Sequence, residues 1–411
     1  MRKPEILAPA GNLEKLKIAI DFGADAVYLG GGKLNLRAFS NNFTNEEMAE
    51  GIKYCHDRDK KVYVTLNVFA RNHDLKGAGE YIKSLYDLGV DAVLIADPSL
   101  IAIAKEVAPD LELHLSTQAN TVNWVATKFW HDLGVKRIVL ARELTFNEIR
   151  TITSNIPEDC DIEAFVHGSM CIAYSGRCLI SNYMLGRDAN KGVCSNACRY
   201  KYHLMEETRP GEYYPVVEDE NGTYIMNSKD LCMINYIPEL VQSGIYSFKI
   251  EGRMKSEFYV ASVVKAYREA LDAYWEDPEN YKFKDEWMDT LNKISHRKYH
   301  TGFFLGKMGE QNYEESSYVR DYDIVGMVKS YDPETKIATI LQKNRVFEND
   351  EVEVLRPHTP YFNVKLLEMF DAEKNVKTDV ANRAHMTFTV KVDEPLQEND
   401  MLVKSNKVLS L

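Results

Sequence analysis

Short apolar runs alternate with amphipathic stretches through residues 1–170, and few folds accept that rhythm. Strands are expected at Glu5–Ala8, Ala26–Leu29, Lys61–Leu66, Ala92–Ile95, Glu112–Ser116, Arg137–Leu140 and Asp161–Phe165, with an eighth much later at Ser247–Ile250. Helical patterns fill the gaps, among them Leu13–Phe22 and Asn45–Arg58, the second introduced by a Thr44…Glu47 capping box. Gly23, Gly89 and Gly134 fall where helices should stop. The expected fold class is α/β, a (β/α)8-like barrel; a doubly wound open sheet is the alternative.

After a long excursion over residues 199–246, helical patterns at Ser256–Tyr274 and Lys284–Lys293 close the barrel. Cys232 reads as lying at a helix start. From about Tyr318 the texture changes to short alternating strands at Ile324–Lys329, Ile337–Gln342, Glu351–Leu355 and Met386–Val392. The expected domains are therefore a barrel over 1–317 and a small all-β barrel over 318–411. The 411-residue chain has room for both, and its 45% hydrophobic content is ordinary for a globular protein. No signal-peptide core and no membrane-spanning apolar run are visible, so a cytoplasmic protein that keeps its cysteines reduced is expected. The net charge of −12 argues against broad, non-specific nucleic-acid binding and leaves only a local basic track.

Chemistry in such a barrel sits where the strands end. The residues in those slots include Gly30-Gly31, Asn67, Asp97, Gln118, Arg142-Glu143, His167-Gly168 and Glu251-Gly252-Arg253. Next to the seventh strand comes the densest signal in the chain. Of seven cysteines, four follow a Cys-x6-Cys-x15-Cys-x3-Cys pattern at Cys171, Cys178, Cys194 and Cys198. A zinc ribbon prefers two tight pairs, and only the second pair is tight. Uneven spacing suits an iron–sulfur cubane among loops, while zinc and unliganded thiols stay open. Cys55 and Cys160 read as inert buried thiols, and Cys232 as a core thiol with a further ligand as the alternative.

Arg253 has the fork geometry to grip a carboxylate or phosphate, with Glu251 and Lys249 beside it. His167 is a candidate acid or base. Ser169 shares its strand face by alternation, but no third member of a triad is in sight. Gly30-Gly31-Gly32 lacks dinucleotide spacing and reads as a loop for close substrate approach. Neither a His-Glu-x-x-His helix nor a Gly-x-Ser-x-Gly elbow occurs.

The run Glu163-x-Phe165-x-x-Gly168-Ser169-Met170-Cys171-x4-Gly176-x-Cys178-x-Ile180-Ser181 resembles the signature of the U32 peptidase-like family. Leu7-Ala-Pro-Ala-Gly11, Gly23-Ala-Asp-Ala-Val-Tyr-Leu-Gly30 and Lys249-Ile-Glu-Gly-Arg253 share the likeness, which covers nearly the whole chain. Cys194-Ser-Asn-Ala-Cys198-Arg199 and Thr223–Asp230 are most similar to its tRNA-hydroxylating branch. The resemblance implies an O2-independent hydroxylase that makes 5-hydroxyuridine at wobble position 34, with prephenate as co-substrate and a 4Fe-4S cluster. It places cluster ligation on Cys171, Cys178, Cys194 and Cys198, the fourth position being the variable one, with Cys232 as its alternative.

A dicarboxylate such as prephenate needs cations, for which Arg37, Arg142, Lys249 and Arg253 are the candidates, with Asn67 and Gln118 as polar neighbours. His167, Glu251 and Arg253 are the catalytic candidates. The implied partner is a tRNA anticodon loop, whose unpaired base would stack on Tyr28, Phe39 or Phe69, with the β module helping to hold the RNA. A homologous partner subunit is also considered. The rival readings are a collagenase-type peptidase and a non-catalytic RNA-binding protein with structural zinc.

Overall fold

The fold was analysed from a computed structural model that describes residues 2–36, 42–171, 173–199, 218–219, 222–223, 229–306 and 319–406. Eight parallel strands close on themselves: β1 (Glu5–Pro9), β2 (Ala26–Leu29), β3 (Lys61–Leu66), β4 (Ala92–Ile95), β5 (Glu112–Leu115), β6 (Arg137–Val139), β7 (Asp161–Ser169) and β8 (Ser247–Ile250). Each pairs with the next, and β8 returns to pair with both β7 and β1. The barrel reading therefore holds, and the open-sheet alternative falls at the β8–β1 seam.

The helices between strands start where short polar side chains catch free N–H groups. Asn12 accepts from Lys15 N–H, Asp97 from Ser99 N–H, and the Thr44–Glu47 capping box forms in full. The long helix Glu257–Glu276, capped by Ser256, packs against β1 and the Leu13–Asp21 helix. One expected element differs: Asp230–Cys232 is a strand, not a helix start, and lies antiparallel to β7. Its placement follows from pairing with β7, which local sequence does not encode. Within the excursion over residues 199–246, Glu218–Asp219 and Gly222–Thr223 pair as a hairpin.

Beyond Tyr322 eight antiparallel strands form one sheet, running in hydrogen-bonded order from Thr359–Lys365 to Val376–Lys377. This all-β module wraps its own core of Val325, Val354, Phe388 and neighbours. Met327, Leu355, Met401 and Val403 join the barrel's core instead. Lys265 Nζ donates to Thr359 O at 2.8 Å and Lys293 pairs with Glu353 at 2.6 Å, so polar contacts reinforce that seam.

The interior of the barrel is unusual in being charged. Glu5, Tyr63, Arg137, Glu163, Ser247 and Lys249 all point inward from their strands and are buried. Arg137 Nη1 lies 2.7 Å from Glu5 Oε1 and 3.5 Å from Glu163 Oε2. Lys249 Nζ meets the other Glu163 oxygen at 2.5 Å, while Tyr63 and Ser247 hydroxyls donate to Glu5 at 2.7 and 2.8 Å. Burial pushes the Glu163 carboxyl up, but Lys249 and Arg137 together outweigh it and hold it below its ordinary range. Deleting the central cation would strand two carboxylates away from water. Arg137→Met is expected to lower unfolding free energy by about 3–5 kcal/mol in urea titrations. A loss under about 1 kcal/mol would show the carboxylates to be satisfied without it.

Candidate active site at the barrel mouth

Above the charged layer the strand ends open into a cavity of about 550 Å³. Tyr28, Thr65, Leu94, Ser116, Phe165 and Lys249 form its floor. Its walls carry Asn67, Gln118, Arg142, Glu251 and Arg253, and all four clustered cysteines open onto it. Seven of the expected ligand-binding and catalytic side chains therefore meet at one place. Arg37 and Phe39 lie outside the described residues.

The cysteine segment has little regular structure and is held by the loops after β5 and β6. Ser175 sits at φ +42°, in the left-handed region. Glu143 holds it there: the Ser175 N–H and hydroxyl donate to the two carboxylate oxygens at 2.6 Å each. Arg177 Nε donates to Gln118 O at 2.8 Å, and Asn190 exchanges hydrogen bonds with both the N–H and the C=O of Cys178. Cys171 is half-buried, and burial is the largest influence raising its thiol above the ordinary range. The neighbouring Cys178 and Cys194 thiols add to that rise, while the Ala173 N–H and Arg142 oppose it.

Cys194 is exposed, and Cys198 is half-buried. Cys232, the alternative fourth ligand, does not line the cavity: burial beside Tyr267 pushes its thiol up to about 12. Four soft thiols facing one chamber are a donor set that fits a metal–sulfur centre. Among the described residues, however, no three His, Cys, Asp or Glu side chains are drawn into a closed ligand shell.

His167 is not in the cavity. The pairing of β7 with β8 runs Phe165 with Lys249 and then His167 with Ile250, so β7 carries one extra residue at Val166. This bulge reverses the alternation and turns His167 outward against the long helix. There it is 1% exposed, ringed by Tyr259, Tyr267 and Tyr299, and burial pushes its imidazole down to about 3. The carbonyl freed at Val166 is caught by Tyr267 OH at 2.8 Å and Met233 N–H at 3.0 Å. His167 is therefore a neutral structural residue, and Ser169, which lines the cavity, has no imidazole partner there among the described residues.

Arg253 is 6% exposed, and its Nη1 donates to Thr65 Oγ1 at 3.1 Å. The glycine loop makes room for it. A Cβ on Gly30 would collide with the Arg253 guanidinium, one on Gly11 with the Arg253 carbonyl, and one on Gly31 with the Tyr81 hydroxyl. Gly30-Gly31 thus admits a neighbouring arginine and tyrosine, not the substrate. Arg142 lies flat over Phe165 at 3.8 Å and donates to Ser169 O at 3.0 Å. Tyr28 is part of the floor, its hydroxyl tied to Ile250 O at 2.9 Å, whereas Phe69 lines a second cavity under Arg177. Glu143 was expected only as a strand-end residue with no role, and Arg187 was not expected. Glu143 directly follows Arg142 past β6, the slot already marked in the sequence, whereas Arg187 lies in a stretch without periodic signal. Glu143→Gln is expected to speed amide hydrogen exchange at Ser175 by about tenfold or more, since hydrogen bonds to a charged group contribute about 1.5–3 kcal/mol. Unchanged exchange would show that other contacts hold the turn.

The family model described as "Peptidase family U32" matches residues 11–314, and "Peptidase family U32 C-terminal domain" matches 320–402. The chain is 43% identical to tRNA hydroxylation protein P1 of Bacillus subtilis over 98% of its own length and 95% of that protein's. It is 36% identical to tRNA hydroxylation protein P of Escherichia coli, covering 99% and 97%. A protein named collagenase from Porphyromonas gingivalis is 31% identical, with 98% of each chain covered. With both matches spanning barrel and β module, and relatives aligned nearly end to end, the chain belongs to peptidase family U32.

Proposed function

We propose that this protein hydroxylates tRNA, converting the wobble uridine at position 34 to 5-hydroxyuridine without O2, with prephenate as co-substrate. The observation that carries the reading is the end-to-end likeness to two tRNA hydroxylation proteins. The geometry supports it by gathering Arg142, Lys249 and Arg253 with four thiols in a single chamber. That chamber is a cationic spot in a chain of net charge −12, as recognition of a dicarboxylate requires.

Cys171, Cys178, Cys194 and Cys198 are the residues that would hold a 4Fe-4S cluster, zinc being the alternative. Bound there, the cluster would supply one-electron redox chemistry. The chain's own residues do the rest. Arg253, fixed by Thr65 and the glycine loop, and Arg142, stacked on Phe165, present guanidinium forks to carboxylates. Asn67 and Gln118 supply neutral hydrogen-bonding groups on the wall, and Glu251 a carboxylate at the rim. Leu94, Val139 and Phe165 line the depth of the cavity with apolar surface that excludes water. An anticodon loop brings its base already unpaired, so a nucleotide need only turn into the mouth. The relatives include P1 and P2 proteins in Bacillus subtilis, which keeps a homologous partner subunit in view.

The peptidase reading is favoured by relatives named as a collagenase and as an uncharacterized protease. Outward rotation of His167 leaves Ser169 without a histidine base among the described residues, which weighs against it.

Nucleoside mass spectrometry of tRNA from a strain lacking this protein should lose 5-hydroxyuridine and its derivatives; unchanged nucleosides would overturn the proposal. Protein purified without air should carry about four iron and four sulfide per chain, and colourless, zinc-loaded protein would favour the structural-metal reading. Arg253→Ala and Gly30→Ala should each abolish modification in a complemented strain while leaving iron content intact. Joint loss of iron and activity would make Arg253 a residue of the fold instead.

A further inference from the structure

Among the described residues, Lys249 is the cavity group whose surroundings suit a task beyond attraction of an anion. It is 3% exposed, at the floor of the cavity, with its Nζ 4.6 Å from the Tyr28 ring centre and 5.4 Å from that of Phe165. Glu163 faces it from β7 at 2.5 Å, Arg137 reaches the same carboxylate from β6, and Arg142 stands in the loop beyond. Burial is the largest influence on the amine and lowers it below the ordinary lysine range; Glu163 opposes, while Arg137 and Arg142 push the same way. Glu163 must answer two cations at once, and its Oε2 makes no hydrogen bond. Glu163 Oε1 is close enough to take a proton from the Lys249 ammonium and leave a neutral amine. Desolvation together with a neighbouring cation is how a lysine becomes a nucleophile toward carbonyl carbon. The guanidinium groups of Arg142 and Arg253, lining the same cavity, define the remainder of the ligand as a carboxylic acid.

We propose that Lys249 forms an imine with an oxo acid bound in this cavity, with Glu163 carrying the protons. The amine nitrogen attacks the carbonyl carbon, and a C=N bond replaces C=O. The carbonyl oxygen departs as water, taking the two amine protons by way of the Glu163 carboxylate. No electrons are gained or lost, so no oxidant is required. The inference deepens the proposed function and rests on it for the cavity being the substrate site, but not for the identity of the acceptor nucleoside.

The test is reductive trapping: the full-length protein, purified without air, is incubated with pyruvate and cyanoborohydride, digested, and mapped by mass spectrometry. One carboxyethyl adduct is expected, on Lys249, in clear excess over every exposed lysine. Lys249→Arg should remove it, and Glu163→Gln should slow it by about 100-fold, the usual range for loss of a general acid–base. An adduct absent from Lys249, or spread evenly over surface lysines, overturns the proposal; trapping at the wild-type rate in Glu163→Gln overturns the role of Glu163. The wild-type map decides the matter even where a buried-charge variant fails to fold, which thermal melting reports. Missing adduct with tRNA modification intact refutes the imine alone, whereas an adduct at Lys249 with unchanged tRNA nucleosides refutes the tRNA reading alone.

Discussion

The line of charges from Glu5 through Arg137 and Glu163 to Lys249 is the constraint around which the barrel is arranged. Most barrels of this kind fill their interior with branched apolar side chains. Here β1, β6, β7 and β8 each contribute an ionisable side chain to the same space, and each is usable only if the others are in register. A shift of any one strand by a single residue would put its charge among the helices and leave its partners buried alone. The network therefore fixes strand register as well as the orientation of the amine that reaches the cavity floor.

On that foundation the mouth of the barrel is built from loops that hold one another. Glu143 fixes Ser175, Gln118 holds Arg177, and Asn190 brackets Cys178. All four cysteines thereby face a chamber that Arg142, Lys249 and Arg253 also line. Arg253 depends in turn on glycines at positions 11 and 30, far away in the chain. The site is thus a product of long-range closure, assembled from the ends of β1, β2, β3, β5, β6, β7 and β8.

Much of the barrel was legible in the sequence because strands and helices announce themselves locally. Hydrophobic alternation marked Lys61–Leu66, and Thr44 with Glu47 marked a helix start. In the β module, strands such as Ile337–Gln342 were visible, but Thr359–Lys365, Leu367–Asp371 and Met401–Ser405 carry a blurred alternation and were missed. The meeting of Arg142, Lys249, Arg253 and the four cysteines could be read from strand-end position. The place of His167 could not, because the bulge that turns it depends on Tyr267 and Met233, remote in sequence. Cys232 was misplaced for the same reason: its strand exists through pairing with β7.

The extra residue at Val166 makes β7 two strands in one. Up to Phe165 it obeys the parity of the interior, at His167 it obeys the opposite parity, and Gly168 at φ +108° leads on to Ser169 at the cavity wall. The phase change lets a single segment seal the space under the long helix and still deliver Ser169, Met170 and Cys171 to the rim. Shortening the chain by one residue at that spot would preserve composition, charge and length almost entirely, yet it would bring the His167 imidazole from outside to inside. The spacing between Phe165 and Cys171 acts as a molecular ruler for the chemistry, and within it the count of residues matters more than their kind.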